Sequence, residues 1–194
     1  MVQVLKEDVK RRIYDAAVAE FYEKNYKTAT LRSIARRAEV PLGLVYSYFK
    51  NKADLFKAVV EPVMTAIDQI MRIEEAKAEK DPEDLFEYLK NQTNSIIRLS
   101  DSYKTLIILI DRSNDTPYWH FKEDLIQRVE MHIKNEYRKR AKAQCDALLF
   151  HIWASSFIEG VCEIIRHYKD QKWAEQMIEL LVKHYCFGIS VFLQ

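Results

Sequence analysis

Residues 30–56 read TLRSIARRAEVPLGLVYSYFKNKADLF: two short amphipathic segments about a tight bend, the second carrying three aromatics within four residues. Thr30 is a capping residue for a helix from Leu31 to about Ala38, whose Leu31, Ile34, Ala35 and Ala38 recur at three- and four-residue intervals as an inner stripe. The chain then bends at Glu39 and Val40, and a third short helix begins near Leu42 on a segment opened by Pro41. At 100° per residue, Val45 and Phe49 point inward, while Gly43, Leu44, Tyr46 and Ser47 point largely outward. An outward leucine and tyrosine on so short a helix need a partner other than water.

Upstream, Val9, Ile13, Ala16, Ala17 and Phe21 line one face of a helix from about Lys6 to Lys24, and Asn25, tolerant of left-handed geometry, suits its C′ position. Downstream, long helices follow. One runs from Lys52 through Leu55, Val59, Val63, Ile67 and Ile70 toward Lys77, with Pro62 a kink point inside it. Asp81-Pro82 opens another that ends near Ser100, and SYKTLIILIDRS, residues 102–113, is a mostly buried one that NDTP breaks. The remaining segments are Tyr118 to Arg140, Lys142 to Lys169 and Gln171 to Phe192. The fold class is therefore all-α, about nine helices, because three glycines and four prolines in 194 residues leave little turn chemistry for a β fold.

A chain that is 48% hydrophobic and 30% charged can bury a real core. Its longest apolar run is about eight residues, near Cys186 to Leu193, against the ~18 needed to span a bilayer, and no signal-peptide core opens it. A cytoplasmic protein without a membrane partner is expected. Cys145, Cys162 and Cys186 are odd in number, without C-x-x-C spacing, and read as small buried hydrophobes. The net charge of +1 hides an asymmetry: residues 1–56 hold 11 Lys/Arg against 7 Asp/Glu, whereas residues 57–194 hold 19 against 22. A basic head on an acidic body suits a head that binds a polyanion.

Residues 13–56 resemble the N-terminal domain of the TetR family of bacterial transcriptional repressors, whose motif reads roughly I-x-x-A-A-x-x-x-F, then T-x-R-x-I-A-x-x-A-G-V, then G-x-x-Y-x-Y-F-x-x-K-x-x-L. The matching residues are Ile13, Ala16, Ala17, Phe21, Thr30, Arg32, Ile34, Ala35, Ala38, Val40, Gly43, Tyr46, Tyr48, Phe49, Lys52 and Leu55. Two positions depart from the pattern: Glu39 stands where the family has Gly, and Pro41 where it has a small polar residue. A left-handed Glu39 would cost roughly 1–2 kcal/mol.

The resemblance implies a helix-turn-helix head over residues 1–52 and a helical ligand-binding and dimerisation body over residues 53–194. A helix entering the major groove needs backbone-close residues at its N-terminal end, base contacts on its outer face and phosphate donors on its flanks. Gly43 would let the helix approach closely, Leu44 would contact a thymine methyl, and the Tyr46 and Tyr48 hydroxyls would bond phosphates, with Pro41, Leu42 and Ser47 further candidates on the same segment. Thr30 and Lys52 would bind phosphates from either side, and Arg32 a guanine edge.

In the body, the segments around Ile158, Val161 and Ile165 and around Met177, Leu181 and Tyr185 are apolar on more than one side. The family pairs its last two helices across a dimer, so these six are candidate interface residues and the operator an inverted repeat. A thick monomer core is the competing reading. Tyr103, Ile107, Trp119, Phe121, Phe150, Trp153 and Phe157 are candidates for an effector cavity for an unknown lipophilic or aromatic molecule, with Glu159 able to attract a cation or to pair with a neighbour. Packed core is again the alternative.

No catalytic motif is present: there is no H-E-x-x-H, no G-x-S-x-G and no phosphate-binding glycine loop. None of the five histidines follows a glutamate by three residues, and Glu163 with His167 reads as a surface pair rather than a metal site. No enzyme, metal or cofactor is expected. The readings left are a ligand-released dimeric repressor, a constitutive DNA-binding regulator whose body only dimerises or docks a protein, and a helical enzyme or carrier. In the first, a ligand in the body would shift the helix that starts at Lys52 and so release the operator.

Overall fold

The computed structural model describes residues 2–76, 86, 87, 89–91, 93, 94, 102–140 and 146–190. Eight helices are delimited among them: α1 (Val2–Thr28), α2 (Leu31–Arg37), α3 (Leu42–Tyr48), α4 (Lys52–Ala76), α5 (Ser102–Asp111), α6 (Phe121–Arg140), α7 (Ala147–Arg166) and α8 (Gln171–Ser190). Between α4 and α5, Phe86, Glu87, Leu89–Asn91, Thr93 and Asn94 are also helical. The rest of the helix expected from Asp81 to Ser100, and Cys145, lie outside the described residues. The fold is all-α.

Two compact units form: residues 1–65 with 104–119, and residues 66–103 with 120–194. In the first, the expected stripes are the core. Ile13, Ala16, Ala17 and Phe21 of α1, Leu31, Ile34 and Ala35 of α2 with Ala38 just beyond it, and Val45 and Phe49 of α3 are all buried. Leu55, Phe56, Val59, Val60 and Val63 bring the first half of α4 into this core. Phe56 meets Phe21 and Tyr26 edge-on, each with ring centroids 5.0 Å apart.

α1 is interrupted at Asn25 (φ 71°, ψ 171°), which is the extended positive-φ region rather than the left-handed helical one expected of a C′ residue. The reason is local: Asn25 Oδ1 accepts the Thr28 amide at 3.1 Å, and the Asn25 carbonyl accepts that of Ala29 at 3.1 Å. The bend is tied to the segment after α5, where the Tyr26 amide donates to the Arg112 carbonyl at 3.0 Å. α4 begins on a capping pair, with the Asp54 amide donating to Asn51 Oδ1 at 2.9 Å and the Lys50 amide to Asp54 Oδ2 at 3.0 Å.

In the second unit, α6 packs on α7 and α7 on α8. Asp146 caps α7 through the Leu148 amide at 2.9 Å. Leu89, Ile164, Ala174, Ile178, Val182 and Cys186 form one buried cluster. α7 and α8 touch closely at Gly160, where a Cβ would lie 3.0 Å from a Leu181 methyl. α6 starts at Phe121, not at Tyr118, because Asn114 to Pro117 turn the chain and Asp115 takes φ 64°. By length and composition α7 is the one described helix apolar enough to cross a membrane, but Ala154, Ile158, Cys162, Ile164 and Ile165 are buried within the fold.

Candidate nucleic-acid interface

Backbone rules build the turn between α2 and α3. Ala38 ends α2 in helical conformation and Glu39 takes φ 54°, left-handed at the position where the family has Gly. The Val40 amide donates to the Ala35 carbonyl at 3.0 Å and the Glu39 amide to that of Arg36 at 3.2 Å, which together make a Schellman cap. The Ala38 and Glu39 carbonyls lie beyond its reach. Arg12 of α1 takes both, with Nη2 donating to Ala38 O at 2.6 Å and Glu39 O at 3.1 Å. Nothing in the periodicity of α1 singles Arg12 out.

Thr30 caps α2 as expected, in a reciprocal box. Its Oγ1 accepts the Ser33 amide at 3.1 Å, while Ser33 Oγ accepts the Thr30 amide at 3.3 Å and donates to the Thr30 carbonyl at 2.8 Å. Behind the box sits Glu20, 2% exposed, a buried carboxylate that the hydrophobic stripe of α1 gave no reason to expect. It pairs with Lys24 at 2.8 Å and Arg37 at 3.5 Å, and Arg37 also grips Glu23 with both nitrogens. Burial raises the Glu20 pKa, but hydrogen bonds from Lys24 and Ser33 and the charges of Lys24 and Arg37 outweigh it and hold the carboxyl below its ordinary range. The network ties α1 to α2.

α3 presents the face its spacing implies. Val45 and Phe49 are buried, Tyr46 is 53% exposed, and Pro41, Gly43 and Ser47 are exposed, with Leu42 and Leu44 half-buried. Ser47 Oγ donates back to the Leu44 carbonyl at 2.7 Å. A Cβ on Gly43 would meet nothing within 4 Å, and its φ is not positive, so among the described residues neither packing nor backbone geometry requires glycine there. An open groove of about 520 Å³ is lined by Thr30, Leu31, Arg32, Leu42, Tyr46, Asn51 and Lys52. Such a surface offers hydroxyls, one guanidinium and a shallow apolar step, which is recognition chemistry rather than bond-making chemistry.

Two expected phosphate contacts are placed otherwise. The Lys52 ammonium donates to the carbonyls of Tyr26 at 2.7 Å, Ala29 at 3.0 Å and Lys27 at 3.4 Å, and lies 4.4 Å from the Tyr26 ring centre. All three of its protons are engaged by the bend after α1, and burial pulls its pKa below the usual lysine value. Tyr48 is half-buried and its hydroxyl donates to the Lys6 carbonyl at 3.1 Å. Both residues hold the head together.

The body candidates are divided between the two units. Ile107 is buried in the first unit and Trp119, 47% exposed, lies in the turn before α6, whereas Tyr103, Phe121, Phe150, Trp153, Phe157 and Glu159 belong to the second unit. Tyr103 stacks on Tyr168 at 4.3 Å, Phe150 meets Trp153 edge-on at 6.0 Å, and Phe157 packs on Tyr185 at 4.4 Å. Glu159 is paired, at 2.8 Å with Arg166 and 3.1 Å with Lys122; the Arg166 hydrogen bond chiefly lowers its pKa, so the charge offered to a ligand is already answered. Glu163 likewise bonds Arg166 at 2.7 Å and lies 3.4 Å from His167.

The six candidate dimer residues differ in burial. Ile158 and Ile165 are buried within the chain, and Val161, Met177, Leu181 and Tyr185 pack half-buried against the cluster of Leu89, Ile164 and Val182. Among the described residues of the second unit, the exposed large apolar side chains are Met131 on α6, Leu148 at 62% and Ile152 at 46% on α7, and Leu180 at 63% on α8.

Residues 13–59 match the family model of bacterial regulatory proteins, tetR family. The regulator TtgR of Pseudomonas putida is 34% identical over 85 residues, 42% of this chain and 40% of TtgR, so the match spans about two fifths of that relative's length. YhgD of Bacillus subtilis, an uncharacterised regulator of the same helix-turn-helix type, is 27% identical over 128 residues, 65% of this chain and 63% of YhgD. Among solved structures, NalD, the secondary repressor of the MexAB-OprM multidrug efflux pump in Pseudomonas aeruginosa, aligns with 90% of this chain and 94% of its own at 24% identity and a TM-score of 0.60. The fatty acid degradation regulator FadR of Bacillus halodurans aligns with 93% and 96% at 19% identity and 0.60. At these identities the two structures are alike in fold.

Proposed function

As this chain belongs to the TetR family of bacterial regulatory proteins, we propose that it is a cytoplasmic, dimeric repressor that binds an inverted-repeat DNA operator and leaves it when a small lipophilic or aromatic molecule enters the body. The DNA-binding head is built on residues 1–52, packed in one unit with residues 53–65 and 104–119, and the rest of the chain carries effector binding and dimerisation. Leu42, Gly43, Leu44, Tyr46 and Ser47 would enter the major groove behind Pro41, with Arg32 reading a base edge and Thr30 reaching a phosphate. Lys52 and Tyr48 hold that surface from behind.

Gly43 carries the reading. An exposed helical glycine costs up to about 1 kcal/mol relative to alanine, and nothing inside the chain asks for it. The requirement therefore lies outside, in a surface that approaches the backbone of α3 closely, as the wall of a major groove does. Gly43→Ala tests this because its two effects have opposite sign: the thermal midpoint should rise while affinity for duplex DNA falls. A variant that is more stable and binds DNA as well as the parent would refute the placement of α3.

Dimerisation through the exposed Leu148, Ile152 and Leu180 fits the need of these side chains for cover. The resemblance to the TetR family, whose bodies usually hold a small apolar or amphipathic molecule, implies the lipophilic effector. The constitutive alternative keeps one observation in its favour: Tyr103, Phe150 and Phe157 each pack on a neighbouring ring. Titration of a lipophilic compound panel against the protein–DNA complex separates the two, since only the ligand-released repressor gives up its duplex.

A further inference from the structure

We infer that α1 sets the pose of α3 through a polar tie at each of its ends, and that Arg12 is the positioning residue on which sequence-specific DNA binding depends. This rests on the DNA-binding reading of α3. The entry of α3 is weakly specified by its own residues: its cap is Pro41, which makes no side-chain capping bond, and only Val40 and Pro41 separate the left-handed Glu39 from Leu42. The Schellman cap uses the Ala35 and Arg36 carbonyls and leaves those of Ala38 and Glu39 unanswered. Arg12 Nη2 bonds both, and so fixes the two peptide planes about which α3 would otherwise pivot. The Glu39 carboxylate, 3.8 Å away on a well-exposed side chain, adds little.

The exit of α3 is held by the same helix, through the Tyr48 hydroxyl on the Lys6 carbonyl. Lys6 and Arg12 are separated by about 9 Å of helical rise, and the seven residues of α3 span about 10.5 Å. α1 thus offers anchor points spaced to the length of the helix it holds. Val45 between them and Phe49 just past the exit pack without directional preference and would tolerate a tilt. A 10° tilt about one end displaces the other by about 2 Å over that length, enough to break base-edge hydrogen bonds while leaving phosphate attraction intact.

The test compares the full chain with Arg12→Met and Arg12→Lys on two probes: a duplex enriched by the parent protein from a random library, and a scrambled duplex of equal length. Arg12→Met should weaken the enriched duplex at least ten-fold and the scrambled one less than two-fold, with no change in the salt dependence of binding. Arg12→Lys, which keeps the charge and a donor, should fall between. Equal weakening of both duplexes, with the salt slope reduced by about one, would make Arg12 a phosphate contact and overturn the proposal.

Hydrogen exchange of the Glu39 and Val40 amides, measured without DNA, should quicken at least ten-fold in Arg12→Met, and unchanged exchange refutes the clamp. If Arg12→Met does not fold, the same readouts on Arg12→Lys decide: parental affinity with parental exchange overturns the proposal. Failure of the parent to enrich any duplex would sink the DNA-binding reading, while the exchange measurement still decides the clamp.

Discussion

Replacing Lys52 by methionine removes an ammonium and keeps the stem that lies against Tyr26. Two of its hydrogen bonds are good, at 2.7 Å to Tyr26 and 3.0 Å to Ala29, and the third, to Lys27, is long at 3.4 Å. Bonds made by a charged donor are worth about 1.5–3 kcal/mol each, so the two together represent about 3–6 kcal/mol. Against this stand the desolvation of the ammonium, which depresses its pKa, and the water that reaches the vacated carbonyls. About 2 kcal/mol of net loss remains, which for a chain of this length lowers the thermal midpoint by about 4–8 °C.

The second signature is in binding. Because the ammonium is engaged with carbonyls, Lys52→Met should leave the slope of log affinity against log salt unchanged, whereas loss of a phosphate contact lowers it by about 0.9. Thermal unfolding followed by circular dichroism, with fluorescence anisotropy on a labelled duplex across a salt series, reads both. A midpoint within 1 °C of the parent together with a reduced slope would mean that Lys52 faces the duplex and that its bonds to the bend are dispensable.

Three more outcomes are expected. Glu39→Gly relieves the left-handed strain at the turn and should stabilise by about 0.5–1 kcal/mol, read as a higher midpoint, after allowing for the greater freedom of glycine in the unfolded chain. Glu20→Gln should destabilise by about 1–2 kcal/mol at pH 7; because the folded Glu20 pKa lies below its ordinary 4.5, that contribution is complete above this value and lost as pH falls through the folded one, so the gap between the urea midpoints of variant and parent should close below about pH 4.5. Gly160→Val drives a branched side chain into Leu181, 3.0 Å from where its Cβ would sit, and should cost about 1–3 kcal/mol in the same urea titration.

What the sequence made legible follows from what periodicity encodes. The stripes of α1, α2 and α3 are a repeating pattern of volumes, and Ile13, Phe21, Ile34, Val45 and Phe49 are buried where the pattern puts them. The left-handed Glu39 is legible only through the resemblance, since it stands where the family has Gly, a residue that takes this geometry without strain. Arg12, Lys52 and Tyr48 were not, because each acts by reaching a backbone carbonyl 23–42 residues away, and a long polar side chain that bonds backbone looks the same in sequence as one that meets solvent. Glu20 escaped notice for the opposite reason: a carboxylate on an apolar stripe reads as an exposed edge until Lys24 and Arg37 are seen to enclose it. In the body, the sequence puts Phe157 and Tyr185 on different surfaces although they pack on each other, since helical spacing says which residues share a face and not what that face meets.

The central claim is that the exposed face of α3 is presented twice to one duplex. Selection of the purified protein against a random double-stranded library, followed by sequencing of the retained fragments, tests it most directly. The expected product is an inverted repeat whose half-sites lie one helical turn apart, about 10 bp, or a small multiple of it, with Arg32→Ala changing the preferred base at one position in each half. A library that emerges unenriched at low ionic strength, or that yields a single asymmetric site, would contradict the account.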